Sequence, residues 1–113
     1  MSEITIRKAA GTWTVRAGGA VLAESKNALE LSEAGHDDVI YFPRSDIAMA
    51  FLDDSERTSF CPRKGDASYY SIVTKSKTID NAGWSYEAPT DAAEPIKGHL
   101  AFYSNDDVTV ERV

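Results

Sequence analysis

Cysteine is almost absent from this sequence. Cys61 is the only one, so no disulfide can form within the chain and no multi-cysteine zinc knuckle can be built. Histidine is nearly as scarce, and His36 and His99 are too isolated from each other to make a pair with metal-ligand spacing. No glycine-rich phosphate loop occurs, of either the nucleoside-triphosphate or the dinucleotide pattern. No apolar run approaches the roughly 20 residues that cross a bilayer. Met1–Lys8 also lacks the apolar stretch found at the centre of a secretory leader. The expectation is a cytoplasmic protein with no metal and no cofactor, in a reducing compartment where a free thiol is ordinary.

Positive charge is also in short supply, and the formal net charge is −6. Domains that bind nucleic acid gain much of their affinity by neutralising phosphates from a basic face. Nucleic acid and anionic membrane surfaces are therefore not expected partners. The basic residues that do cluster are Arg57, Arg63 and Lys64, followed by Lys75 and Lys77. They leave room for a local anion site, and the sequence carries no signal of oligomeric state.

Long stripes of helical period are missing as well. What is there instead is alternation. Ile4/Ile6 and Trp13/Val15 repeat at period two, with Ala10-Gly11 and Gly18-Gly19 as turns, which predicts strands over 3–8, 12–17 and 20–25. Residues 28–31 fit a strand or a helical turn equally. Val39-Ile40-Tyr41-Phe42 is β-branched and aromatic and reads as a strand ended by Pro43. Ser45, as N-cap, and the apolar stripe Ile47, Ala48, Phe51 and Leu52 predict one short helix near 45–52. The polar stretch 53–66 then reads as a loop. Further strands are expected over 68–75, 77–80, 83–87, 99–104 and 108–112, with a loop or single helical turn between Pro89 and Pro95. The expected fold is mainly β: a compact antiparallel sheet or barrel-like single domain, residues 1–113, with one short helix.

Several residues could carry chemistry. Cys61 stands near Arg57, Arg63 and Lys64, cations of the kind that stabilise a thiolate, though the commoner reading of such a residue is a small buried hydrophobe beside Pro62. Cys61-Pro62-Arg63-Lys64-Gly65 has the makings of an anion-binding turn, or of an ordinary solvated one. Arg44, just before the expected helix, can fork onto a carboxylate of the protein or of a ligand. Trp84 and Tyr86 share one face of their strand, while the neighbours Tyr69/Tyr70 and Phe102/Tyr103 point to opposite faces. One set can fill a core while the other lines a pocket.

These residues fall into an ordered series. Tyr41-Phe42-Pro43-Arg44-x-Asp46 is followed by Thr58-x-x-Cys61-Pro62-x-Lys64-Gly65-x-Ala67-x-Tyr69-Tyr70. Asn81-Ala82-x-Trp84-x-Tyr86 and Ile96-x-Gly98-x-x-Ala101-Phe102-Tyr103 complete it. The series resembles the bacterial domain of unknown function 427 family, from about residue 13 to residue 110. The resemblance implies a compact mainly-β domain related to the tent-like β folds that cage ligands with aromatic side chains, and it implies no reaction. It departs at position 63, where an aromatic residue is expected and Arg63 stands.

Together these point first to a small-molecule or peptide-binding module. Trp84, Tyr70 and Tyr103 would line its pocket, Arg44, Cys61 and Lys64 would form a polar rim, and a small organic anion would be the ligand. The alternatives are an enzyme using Cys61 or Lys64 as nucleophile beside Arg44, and a structural or protein-interaction domain.

Overall fold

The computed structural model describes residues 3–113, so the first two residues of the Met1–Lys8 stretch lie outside it. Ten strands make up most of the described chain: β1 (Ile4–Lys8), β2 (Trp13–Ala17), β3 (Ala20–Ser25), β4 (Leu29–Glu33), β5 (Val39–Tyr41), β6 (Leu52–Cys61), β7 (Gly65–Val73), β8 (Thr78–Tyr86), β9 (Leu100–Phe102) and β10 (Val108–Arg112). They form three antiparallel sheets, in the orders β1-β4-β5, β10-β2-β3 and β6-β7-β8-β9, and these do not close into a barrel. No helix among the described residues is long and apolar enough to cross a membrane.

The Gly18-Gly19 signal works as its chemistry requires. Both glycines have positive φ, 56° and 79°, as a tight two-residue hairpin turn demands, and Ala17 pairs with Ala20 across it. Residues 28–31 resolve as the start of β4. Phe42 and Leu100 exchange backbone hydrogen bonds of 2.7 and 2.9 Å, which ties the end of β5 to β9 and runs two of the sheets into one another.

Side-chain alternation along these joined strands makes two cores. One holds Val15, Leu22, Ile40, Phe42, Tyr70, Ile72, Leu100, Phe102 and Val108; the other holds Leu31, Tyr41, Tyr69, Tyr86, Ala93, Ile96 and Ala101. Consecutive residues such as Tyr41 and Phe42, Tyr69 and Tyr70, and Ala101 and Phe102 therefore enter different cores. A sheet buried on both faces needs apolar residues at every position, which accounts for the unbroken aromatic and aliphatic runs at 39–42 and 100–102.

Two expectations change in detail. In place of one short helix near 45–52 there are two single 3-10 turns, Arg44–Asp46 and Met49–Phe51. Between them Ile47 is extended and bridges to Ala23, and the Ala48 N–H donates to the Leu22 carbonyl at 2.7 Å. Tertiary pairing outbids the short apolar stripe. Asp46 accepts from the Ser25 hydroxyl at 2.6 Å. The second change is larger: the polar stretch 53–66, read as a loop, is most of β6 and the start of β7, a long hairpin. Its turn is closed by the Lys64 N–H donating to the Cys61 carbonyl at 3.0 Å, with Pro62 in the position that favours its fixed φ. β6 is the outer strand of its sheet and mostly exposed, so it carries Asp53, Asp54, Glu56 and Arg57 where an inner strand would carry valine. Charges on an edge strand hinder edge-to-edge pairing with other chains.

Candidate functional site

The candidate site is built around the aromatic residues of β7 and β8 that face the second core, Tyr69, Trp84 and Tyr86. Tyr69 lies opposite Trp84 in the β7–β8 register, and Trp84 opposite Ala101 in the β8–β9 register. Since Ala101 has a small side chain, the Trp84 ring has space to lie across β9 and meet Tyr103, with ring centroids 4.6 Å apart. On its other side Trp84 meets Tyr41 edge-on at 6.4 Å, and its indole Nε1–H donates to the Tyr41 hydroxyl at 3.3 Å. Burial pushes the Tyr41 phenol up to about 12, with the Trp84 hydrogen bond acting the other way and the neighbouring Cys61, Glu33 and Tyr69 acting in the same sense as burial. The Tyr86 phenol is raised further, again chiefly by burial.

Trp84 and Tyr103 form one wall of a cleft of about 450 Å³, which Trp13, Val39, Ile40, Phe102 and Val110 also line. Both tryptophans of the chain therefore meet here. Glu30, Asp37 and Asp38 line it too, with Glu30 held by Arg7 at 3.1 Å and Asp38 accepting from the Ser32 hydroxyl at 2.8 Å.

Next to that wall, the Ser59 and Tyr69 hydroxyls are 2.9 Å apart and the Arg57 guanidinium lies 5.0 Å over the Tyr69 ring. Burial would raise the Tyr69 phenol, but the Ser59 hydroxyl, the Tyr103 hydroxyl and the Arg57 charge together hold it below its ordinary value. The Tyr103 phenol is raised, by burial first and then by the Tyr69 oxygen.

The six residues singled out from the sequence fall into three pairs. Trp84 and Tyr103 stack in the cleft. Arg44 and Tyr70 meet against the other face of β7: Arg44 donates to the Tyr70 hydroxyl at 3.0 Å, to the Gly98 carbonyl at 2.7 Å and to Glu87 at 2.5 Å. Glu87 also accepts from the fully buried Ser85 hydroxyl at 2.5 Å. Cys61 and Lys64 sit at the two ends of the β6–β7 turn. There the buried Glu33 takes both Arg63, at 3.4 Å, and Lys64, at 3.5 Å, while Lys64 lies 5.9 Å from the centroid of the Tyr86 ring. The turn's cations are thus drawn onto an internal carboxylate, and Arg57 onto Tyr69. Among the described residues no group of three or more His, Cys, Asp or Glu is placed to hold a metal ion.

Glu33, Glu87, Ser59 and Tyr69 had no place in the candidate site read from sequence. Arg57, Ser59 and Cys61 alternate at period two, a signal that becomes visible once 52–61 is recognised as a strand.

These features define a class: a mainly-β domain of open antiparallel sheets with two cores and an aromatic cleft beside a tyrosine–arginine cluster. The chain belongs to the family described as Domain of unknown function (DUF427), whose model matches residues 5–113. A search of curated proteins finds no match.

Proposed function

We propose that this domain is a small-molecule-binding module whose site is the cleft walled by Trp84 and Tyr103. The observation that carries this reading is that both tryptophans, Trp13 and Trp84, and the rings of Phe102 and Tyr103 line one cleft of about 450 Å³. That volume falls within the range usual for sites that hold drug-sized ligands, and flat apolar walls with a few polar groups are their usual form. Tyr103 is 44% exposed although it stacks on Trp84, so a planar ligand can reach the ring pair from solvent. The hydrogen bond from Trp84 to the Tyr41 hydroxyl fixes the indole before any ligand arrives, which lowers the ordering cost of binding.

Titration with a neutral planar probe, 2-naphthamide, followed by tryptophan emission, tests this. The wild-type protein should show a saturable change. Tyr103→Ala, at an exposed ring, should weaken it about tenfold while leaving the far-ultraviolet circular dichroism as it was. Unchanged emission across a titration of the wild-type protein would overturn the reading.

A further inference from the structure

Three cations lie over tyrosine rings, and two already have a carboxylate. Arg44, 5.5 Å from the Tyr70 centroid, is bound to Glu87, and Lys64, over Tyr86, is bound to Glu33. Arg57, over Tyr69, has no carboxylate partner among the described residues. We propose that Arg57, Ser59, Tyr69 and Tyr103 form an oxyanion-receiving end of the aromatic cleft, and that its ligand is a planar organic anion whose flat body lies on Trp84. This rests on the cleft being a binding site.

The parts fit that chemistry. A guanidinium stacked on a ring keeps its N–H donors at its edge, where they match the two oxygens of a carboxylate. The Ser59 and Tyr69 hydroxyls, 2.9 Å apart, share one proton between them and leave the other free to donate to an oxyanion. Arg57 and Ser59 are exposed, so the anion need not be dehydrated by a closed chamber before it is bound. The surroundings already favour negative charge on oxygen, because the Tyr69 phenol is held below its ordinary value by Ser59, Tyr103 and Arg57 despite its burial.

Tyr103 joins the two parts. Its ring lines the cleft beside Trp84, and its hydroxyl interacts with the Tyr69 oxygen. Asp37 and Asp38 lie elsewhere on the cleft's lining and repel an anionic group. A ligand with one charged end is therefore oriented, its oxyanion toward Arg57 and its uncharged edge toward the acids. The anion site read from sequence used Arg44 and Lys64, each of which is paired with a carboxylate of the protein, the exposed Glu87 and the buried Glu33.

The test compares 2-naphthoate with its neutral counterpart 2-naphthamide on the full chain, by tryptophan emission. In the wild-type protein naphthoate should bind more tightly than the amide, and added salt should narrow the gap. Arg57→Ala should weaken naphthoate about tenfold or more and leave the amide within twofold. Arg57→Lys, which keeps the charge but loses the fork, should fall between. If the amide binds and naphthoate does not, or if Arg57→Ala weakens both alike, the oxyanion assignment is overturned and the cleft reading stands. If neither probe binds, both fall.

Discussion

Tyr69 and Tyr70 are neighbours in the chain whose hydroxyls serve different centres: that of Tyr69 lies 2.9 Å from Ser59, and that of Tyr70 accepts from Arg44 at 3.0 Å. Because β7 is buried on both faces, one dipeptide ties the aromatic cleft to one side of the sheet and the Arg44 network to the other. The two networks are thereby separable by mutation.

Arg44→Ala should lower stability more than it changes any ligand response. The loss removes donors to the Gly98 carbonyl and the Tyr70 hydroxyl, each worth about 1 kcal/mol. The ion pair with Glu87 adds less than about 1 kcal/mol, since both partners are substantially exposed. A total of about 2 kcal/mol, read from urea unfolding, is expected; 2-naphthamide binding at the cleft should stay within twofold.

Lys64 and Glu33 should be energetically coupled. Glu33 is 8% exposed and sits between two cations, so removing Lys64 alone leaves a buried carboxylate with only Arg63 as its ion-pair partner among the described residues. Lys64→Met and Glu33→Gln should each destabilise, and the double variant should cost less than their sum by about 1 kcal/mol or more. Strict additivity in a double-mutant cycle on unfolding free energies would show the pair to be inert.

Alkaline pH should unfold the protein partly through Tyr41. Its phenol titrates at about 12 when folded, against an ordinary value of about 10 when unfolded. A raised folded value means that the unfolded chain gives up the proton first. The contribution is complete below about pH 10 and is lost as pH rises toward 12, by roughly 2–3 kcal/mol. Urea unfolding repeated across that range should show a falling free energy, with a shallower slope in Tyr41→Phe. In native protein followed by ultraviolet absorbance, Tyr69 should ionise before Tyr41.

Gly65→Ala should damage the β6–β7 hairpin. Gly65 has φ +113°, where a side chain is strained, and an added Cβ would sit 3.3 Å from the Ala88 carbonyl oxygen. A cost of about 1–3 kcal/mol is expected from calorimetry. A variant as stable as wild type would show that the turn can relax at no cost.

Much of the fold is legible because alternation is a strong signal wherever one face meets a core. Trp13/Val15, Gly18-Gly19 and Val39–Phe42 all resolve where their chemistry places them. β6 was not legible, because an edge strand facing water carries the composition of a loop, and Pro62 and Gly65 punctuate its end. The helix expected near 45–52 gives way to two 3-10 turns because no local pattern discloses that Ile47 pairs with Ala23. For the site, the aromatic wall of Trp84 and Tyr103 follows from strand alternation. The ion pairs that occupy Arg44 and Lys64 do not, since Glu87 and Glu33 are distant in sequence and only the folded topology brings them in.

The pairing of β2 with β10 imposes an order on synthesis. Trp13–Ala17 finds a partner on one side as soon as β3 emerges, but its other edge waits for Val108–Arg112. Through most of translation Val15 and Ala17 belong to a two-stranded ribbon, which is marginal in water on its own. The meander β6-β7-β8-β9 is local and can assemble earlier. The nascent protein should therefore stay protease-sensitive at its beginning until Arg112 has cleared the ribosomal exit, with the half made later in the chain becoming resistant first.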